Sequence, residues 1–313
     1  MENLDQAPHS LTQEAGEKYN HAWFVERAMG SVHKIADNTW DYSDSLLLYM
    51  PSGVVEYEAV QNTDTPYHRL VTAPEHEYLQ QVASDIVSEL PDVFDYIDLG
   101  PGAEHKEQFF FDACKAQGKT FTYFPVDISE HFLNLAQTYA EAQNIETKTL
   151  KGSFEELPDV LGVSQKPRFV SLGLTFSNYN PAHITNLLKQ IAGKNGFIFI
   201  NAQMRDRTDM LQLRAIYEQA VSPLCLDKLQ LLGLTIDKHV SVPFVDENNQ
   251  AWCYVLEMST QLEQLGIKKG DKILLFQSLR YTPETLETNI KESEATYKMY
   301  DIGSSFIASL IKT

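Results

Sequence analysis

Apolar positions along the chain follow two rhythms, and the switch between them marks the architecture. From Pro74 to Leu90, Leu79, Val82, Ala83, Ile86 and Val87 recur at helical spacing, with Pro74 suited to a first helical turn. The rhythm then shortens. "FDYIDLG" reads as a strand, and a helix follows to about Gln117; "KTFTYFPVDIS" is a second strand. Ser129 is placed to cap the next helix, whose apolar face is Phe132, Leu135, Ala136, Tyr139 and Ala140. "IETKTLKG", "PRFVSLGLTF" and "GFIFINAQ" are three further strands, with the helix "NPAHITNLLKQIAGKNG" before the last. Strands alternating with helices of this length predict parallel βαβ units in a doubly wound α/β sheet.

Outside this stretch the alternation stops. The first twenty residues read as loosely attached, and "YNHAWFVERAMGSVHKI" as a helix. Residues 204–237 read as helical. A polar turn, "VDENNQ", precedes a strand pair, "AWCYVLEMSTQL" and "KKGDKILLFQSLRY". A helix, "PETLETNIKESE", leads to two closing strands in "TYKMYDIGSSFIASLIKT", joined at Asp-Ile-Gly. No internal repeat occurs.

Composition narrows the classes of function. The 313 residues are 43% hydrophobic, enough for a substantial core. No apolar run reaches the length of a membrane span, and the polar N-terminus does not resemble a secretory signal, so a cytoplasmic protein is expected. Cys114, Cys225 and Cys253 lack metal-ligand spacing and read as buried or inert thiols. A formal net charge of -18 disfavours a nucleic-acid groove and leaves a small molecule as the expected partner.

Three signals sit at the carboxyl ends of the strands, where open α/β sheets bind ligands. Gly100 and Gly102 allow close approach of an adenosyl group or a phosphate, or serve the turn alone. Asp127, ending the second strand, is placed to accept from both hydroxyls of a ribose or to favour a helix N-terminus. "GPGAEHK" has His105 where a dinucleotide fingerprint has its third glycine, which favours a lone adenosyl ligand. In "LKGSFEELPDV", Phe154 is suited to an adenine face and Ser153 to its edge, or Phe154 to the core.

At these motifs the chain resembles the histidine-specific, S-adenosylmethionine-dependent methyltransferases, a group that includes indole-amine N-methyltransferases of ergot alkaloid pathways. The resemblance runs from about Tyr67 to the C-terminus and is strongest at "DLGPGAEHK", "YFPVDIS", "GSFEELP", "SLGLTFSNYNP" and "YKMYDIGSSFIASLI". It implies S-adenosylmethionine as cofactor and a Rossmann-like methyltransferase sheet with an antiparallel C-terminal hairpin. It also implies a smaller α+β substrate domain. By the same resemblance, residues 74–203 and 282–313 form the core, and 1–73 with 204–281 the substrate domain. Gly100, Gly102, Lys106 and Asp127 match the cofactor positions. Ser153 replaces the family's usual aspartate beside Phe154, while Gly173, Thr175 and Asn178 match the segment lining the cofactor's amino-acid end and the substrate.

The acceptor site departs from the pattern. Histidine-methylating members carry a glutamate, then a serine two residues on, in the strand matching "LLFQSLRY"; here Ser278 is kept and Phe276 stands at the glutamate position. A phenyl ring removes the acceptor that holds an imidazole N–H, a loss of several kcal/mol in discrimination. The expected substrate is therefore an amine with an aromatic or apolar side chain rather than free histidine. A register slipped by one residue would instead turn Gln277 into the pocket. Tyr67 and Asn178 match the positions holding the substrate's amino and carboxylate groups, and Arg280 and Tyr281 read as covering the domain junction. His68 is either a surface histidine or a proton acceptor. The sequence identifies no general base. An oxygen or carbon acceptor, or a silent cofactor-binding subunit, are the alternative readings.

Overall fold

A computed structural model describes residues 18–61, 64–162, 164–234, 239–245, 250–257, 265–292 and 295–313. The N-terminal helix covers His21–Ser31 and stops there. Val32 is already extended, and the chain continues as β1 (His33–Ala36), which turns through Asn38 at a φ of 56° into β2 (Thr39–Asp41). The expected continuation of helix through "SVHKI" is thus replaced by a hairpin, consistent with the weak helix preference of Val and Ile next to Gly30. Lys18, Tyr19 and Asn20 are not loosely attached. The Tyr19 hydroxyl accepts from the Ser153 N–H at 3.2 Å and donates to Glu156 at 2.5 Å. Residues 1–17, the rest of that segment, lie outside the described part.

The central sheet is built from β3 (Val93–Leu99), β4 (Thr120–Asp127), β5 (Leu150–Lys151), β6 (Arg168–Leu172) and β7 (Phe197–Gln203), all parallel. Each run is nearly continuous in apolar residues because helices cover both faces. Tyr96, Phe169 and Phe199 point to one face and pack with Phe110 and Phe111. Ile97, Val170 and Ile198 point to the other, toward the helix Pro181–Ala192. "IETKTLKG" contributes only the two residues of β5 and a bridge from Thr147 to Tyr123, as an edge strand can. The chain moves from β3 outward to β4 and β5, then crosses back to β6 and β7, so strand order reverses between β3 and β6.

A second sheet joins β1 and β2 to four later strands. These are β8 (His239–Val245), β9 (Gln250–Glu257), β10 (Lys272–Leu274) and β11 (Leu279–Arg280), with β10 parallel to β2 and antiparallel to β9. β8 was not anticipated; Pro243 argues against a central strand, and among the described residues β8 pairs with β9 alone. "KKGDKILLFQSLRY" is likewise not one strand. Leu274 faces Val255 and Leu279 faces Ala251, so four residues oppose three and the strand bends at 275–278. The region after Gln203 is helical in pieces, Met210–Ile216, Ser222–Asp227 and shorter turns to Leu232. Residues 235–238, the middle of "VDENNQ" and the end of "AWCYVLEMSTQL" lie outside the described part.

After the helix Pro283–Lys291, β12 (Thr296–Tyr300) and β13 (Phe306–Lys312) form the expected antiparallel hairpin, and β13 pairs with β7. Cys114 and Cys225 are buried, and burial pushes both thiols up to about 12; the Cys253 side chain lies outside the described part. Among the described residues no helix is long and apolar enough to cross a membrane.

Candidate active site

The carboxyl ends of β3, β4 and β6 open into one cavity at the reversal of strand order, with some 1540 Å³ of non-protein space including its solvent mouth. All twelve residues singled out in the sequence line it: Gly100, Gly102, Lys106, Asp127, Ser153, Phe154, Gly173, Thr175, Tyr67, Asn178, Phe276 and Ser278. Gln277 does not, so the register that turns Phe276 and Ser278 inward is the one the fold adopts. His68 is half-buried but also absent from the lining.

The glycine turn after β3 follows from backbone geometry. Gly100 and Gly102 take φ of 68° and 66°, the left-handed region that glycine enters without penalty. The Gly100 N–H donates to the Val126 carbonyl at 2.9 Å, which ties the turn to β4. A Cβ on Gly100 would lie 3.6 Å from the Phe154 ring, whereas one on Gly102 would meet nothing within 4 Å. His105 also has a positive φ, 49°, and stacks on Tyr139 at 4.2 Å between ring centres. The histidine thus holds a left-handed backbone conformation that a glycine would enter more easily.

Asp127 ends β4, buried. Its carboxylate accepts from the Ser129 N–H at 2.7 Å, and with no cation beside it burial pushes it up to about 7. Ser129 occupies the N-cap position of the helix Glu130–Ala142, but its side chain makes no capping bond; Asp127 takes its N–H instead. A buried acid with spare acceptor capacity beside a glycine turn fits a cofactor bearing a vicinal diol, and the residues present fit S-adenosylmethionine. Ser153 is buried next to it, and the Phe154 ring stands over Gly100.

Lys106 lines the cavity, but its ammonium is already engaged. It lies 2.8 Å from both Glu75 and Glu104, and these carboxylates hold it well above the ordinary lysine range. Glu104 also accepts from the Thr72 hydroxyl, and Glu75 from the Asn201 side chain at 2.8 Å. A row of polar groups crosses the sheet beneath. Asp98 on β3 accepts from Tyr123 on β4 at 2.8 Å and from Ser171 on β6 at 2.5 Å. Burial and then the charge of Glu107 push Asp98 up to about 7.

Sequence reasoning missed this carboxylate set, although Glu75 and Glu107 fall on buried helix faces, a legible anomaly for an acid. It also missed the aromatic wall of Tyr49, Tyr57 and Tyr217. Tyr217 stacks on Phe276 at 5.9 Å between ring centres and approaches Tyr67 at 6.2 Å. Burial raises the phenol of Tyr49 to about 12 and those of Tyr57 and Tyr67 well above their usual value, so these hydroxyls stay protonated at neutral pH. Arg280, expected to cover a domain junction, is buried and lines the cavity beside Ser278 and Tyr217.

A family model described as "Histidine-specific methyltransferase, SAM-dependent" matches residues 41–220, more than half of the chain. The chain is 25% identical over 279 residues to the 4-dimethylallyltryptophan N-methyltransferase easF of Trichophyton verrucosum, covering 77% of this chain and 79% of that protein. It is 29% identical over 132 residues to the 4-dimethylallyltryptophan N-methyltransferase ifgB of Penicillium roqueforti, covering 38% of each. With the ergothioneine biosynthesis protein 1 of Neurospora crassa it shares 24% over 268 residues, 78% of this chain and 30% of that one. The match thus spans well under half the length of two of these three relatives.

Proposed function

The chain belongs to the histidine-specific, SAM-dependent methyltransferase family, and on that premise we propose that it is an N-methyltransferase. Its acceptor is the amine of an amino acid or amino-acid-derived small molecule with an aromatic or apolar side chain, not free histidine. The observation that carries this reading is Phe276, buried in the cavity wall and stacked on Tyr217, at the position where the resemblance implies a glutamate in histidine-methylating members.

S-adenosylmethionine supplies a methyl group already activated on its sulfonium, so the protein's task is chiefly alignment. In this reading Gly100, Gly102, Asp127, Ser153 and Phe154 hold the adenosyl part. The loop carrying Gly173, Thr175 and Asn178 meets its amino-acid end. Asn178 and Tyr67 orient the acceptor's amine, Tyr67 as a neutral phenol and therefore as a hydrogen-bonding group rather than a base. The amine arrives neutral or loses its proton to water. Phe276 and Ser278, from the bend before β11, and Arg280 on β11 line the acceptor side of the cavity.

The test is a mass-spectrometric screen of purified protein with S-adenosylmethionine and histidine, tryptophan, tyrosine and their relatives. N-methylated aromatic amines with little methylhistidine are expected. Efficient methylation of histidine would refute the acceptor assignment, and products methylated on oxygen or carbon would refute the reaction class. Heat stabilisation by S-adenosylhomocysteine but not by NAD is expected alongside.

A further inference from the structure

We infer that Arg280 is the counter-ion for a carboxylate on the methyl acceptor. Arg280 is 1% exposed, yet its hydrogen-bond partners among the described residues are all neutral. Nη1 donates to the Ser278 hydroxyl at 2.6 Å and to the Leu279 carbonyl at 2.9 Å, and Nη2 to the Tyr217 hydroxyl at 2.7 Å. Nε is buried without a partner. Among the described residues no carboxylate pairs with this guanidinium. The contrast with Lys106 in the same cavity is direct, since that cation sits between two glutamates.

A buried, permanently charged group without an anion is costly, because water is gone and nothing replaces its countercharge. Three hydrogen bonds to neutral acceptors satisfy part of the guanidinium and leave Nε and one N–H of Nη2 to donate. A carboxylate is the anion that takes such a pair of donors side by side. The cavity wall beside it is aromatic rather than acidic. Phe276, four residues before Arg280, packs on the same Tyr217 ring that the guanidinium covers. The acceptor brings the missing charge instead, and Arg280 acts as a specificity-determining residue.

This inference rests on the acceptor reading above. Arg280 is linked through Tyr217 to Tyr67 and Phe276 and directly to Ser278, so the carboxylate can stand beside the acceptor's amine or at its far end. The experiment separates the two sources. With S-adenosylhomocysteine saturating, calorimetry compares tryptophan, 5-carboxytryptamine and tryptamine, which carry a carboxylate beside the amine, on the ring, or not at all. At least one acid is expected to bind ten-fold or more tightly than tryptamine, and the stronger acid identifies the source.

Arg280→Met is expected to remove that preference and Arg280→Lys to keep part of it. Heat stabilisation by S-adenosylhomocysteine in each variant shows that the fold and cofactor site persist. If Arg280→Met lacks it, Arg280→Lys and Tyr217→Phe decide, each expected to narrow the preference. No preference for either acid in the wild-type protein, or a preference untouched by the variants, overturns the inference. Failure of S-adenosylhomocysteine to bind the wild-type protein would instead overturn the methyltransferase reading.

Discussion

Asp127→Asn should weaken S-adenosylhomocysteine binding by roughly ten- to a hundred-fold at pH 8 and abolish its pH dependence. The carboxylate is buried at the tip of β4, with its backbone contacts limited to the N–H groups that follow it in the chain. A vicinal diol donating to it forms two charge-assisted hydrogen bonds, each worth about 1.5–3 kcal/mol, and asparagine retains only part of one. The sign of the pH effect follows from the raised carboxyl, pushed up to about 7. Hydroxyl donors favour its ionised form, so wild-type affinity should be greatest above pH 7 and fall as the pH drops below it, with proton release on binding near neutrality. Calorimetry in buffers of different ionisation enthalpy measures both. A flat wild-type profile, or an unchanged affinity in the variant, would remove Asp127 from the cofactor site.

The second large effect concerns the unliganded protein, which should lose stability as pH rises from 6 to 8. Asp98 and Asp127 are both pushed up to about 7 from near 3.8, chiefly by burial. The folded state therefore holds two protons over the range in which the unfolded chain has released them. Their contribution to stability is fully present below about pH 4 and declines as the pH climbs through 7. Integrated between pH 6 and 8, each carboxyl accounts for roughly 1–2 kcal/mol. Half-buried His76, held below its usual value by burial, works in the other direction only below about pH 6.5. Asp98→Asn keeps hydrogen bonding to Tyr123 and Ser171 while removing the titration, and should raise stability at pH 8 by on the order of 3–4 kcal/mol. Urea denaturation at the two pH values provides the check. A wild-type protein equally stable at both, with Asp98→Asn destabilised at pH 8, would show that the acid is compensated in a way the local geometry does not reveal.

Much of the cavity was legible because its parts are local. Gly100 and Gly102 announce a tight turn, Asp127 ends a recognisable strand, and Phe154 and Asn178 sit in short segments after other strands. Each motif lies at a strand's carboxyl end, and a doubly wound sheet brings all such ends to one edge. Arg280 illustrates the opposite case. In sequence it reads, with Tyr281, only as covering a domain junction; its burial beside Tyr217 arises from the bend at 275–278 and the pairing of β11 with β9. Neither leaves a periodic signal.

The same division runs through the whole protein. Apolar periodicity and turn chemistry by themselves determined the parallel sheet, its order of strands and helices along the chain, the closing hairpin and the glycine turn, because each depends on residues within a few positions of one another. Only the tertiary structure decided the partnerships between distant segments: β2 beside β10, Tyr19 against Ser153, Lys106 between Glu75 and Glu104, and Arg280 against Tyr217 with no carboxylate among the described residues. A charge has no countercharge, and an acid no ordinary pKa, until packing removes the water around it.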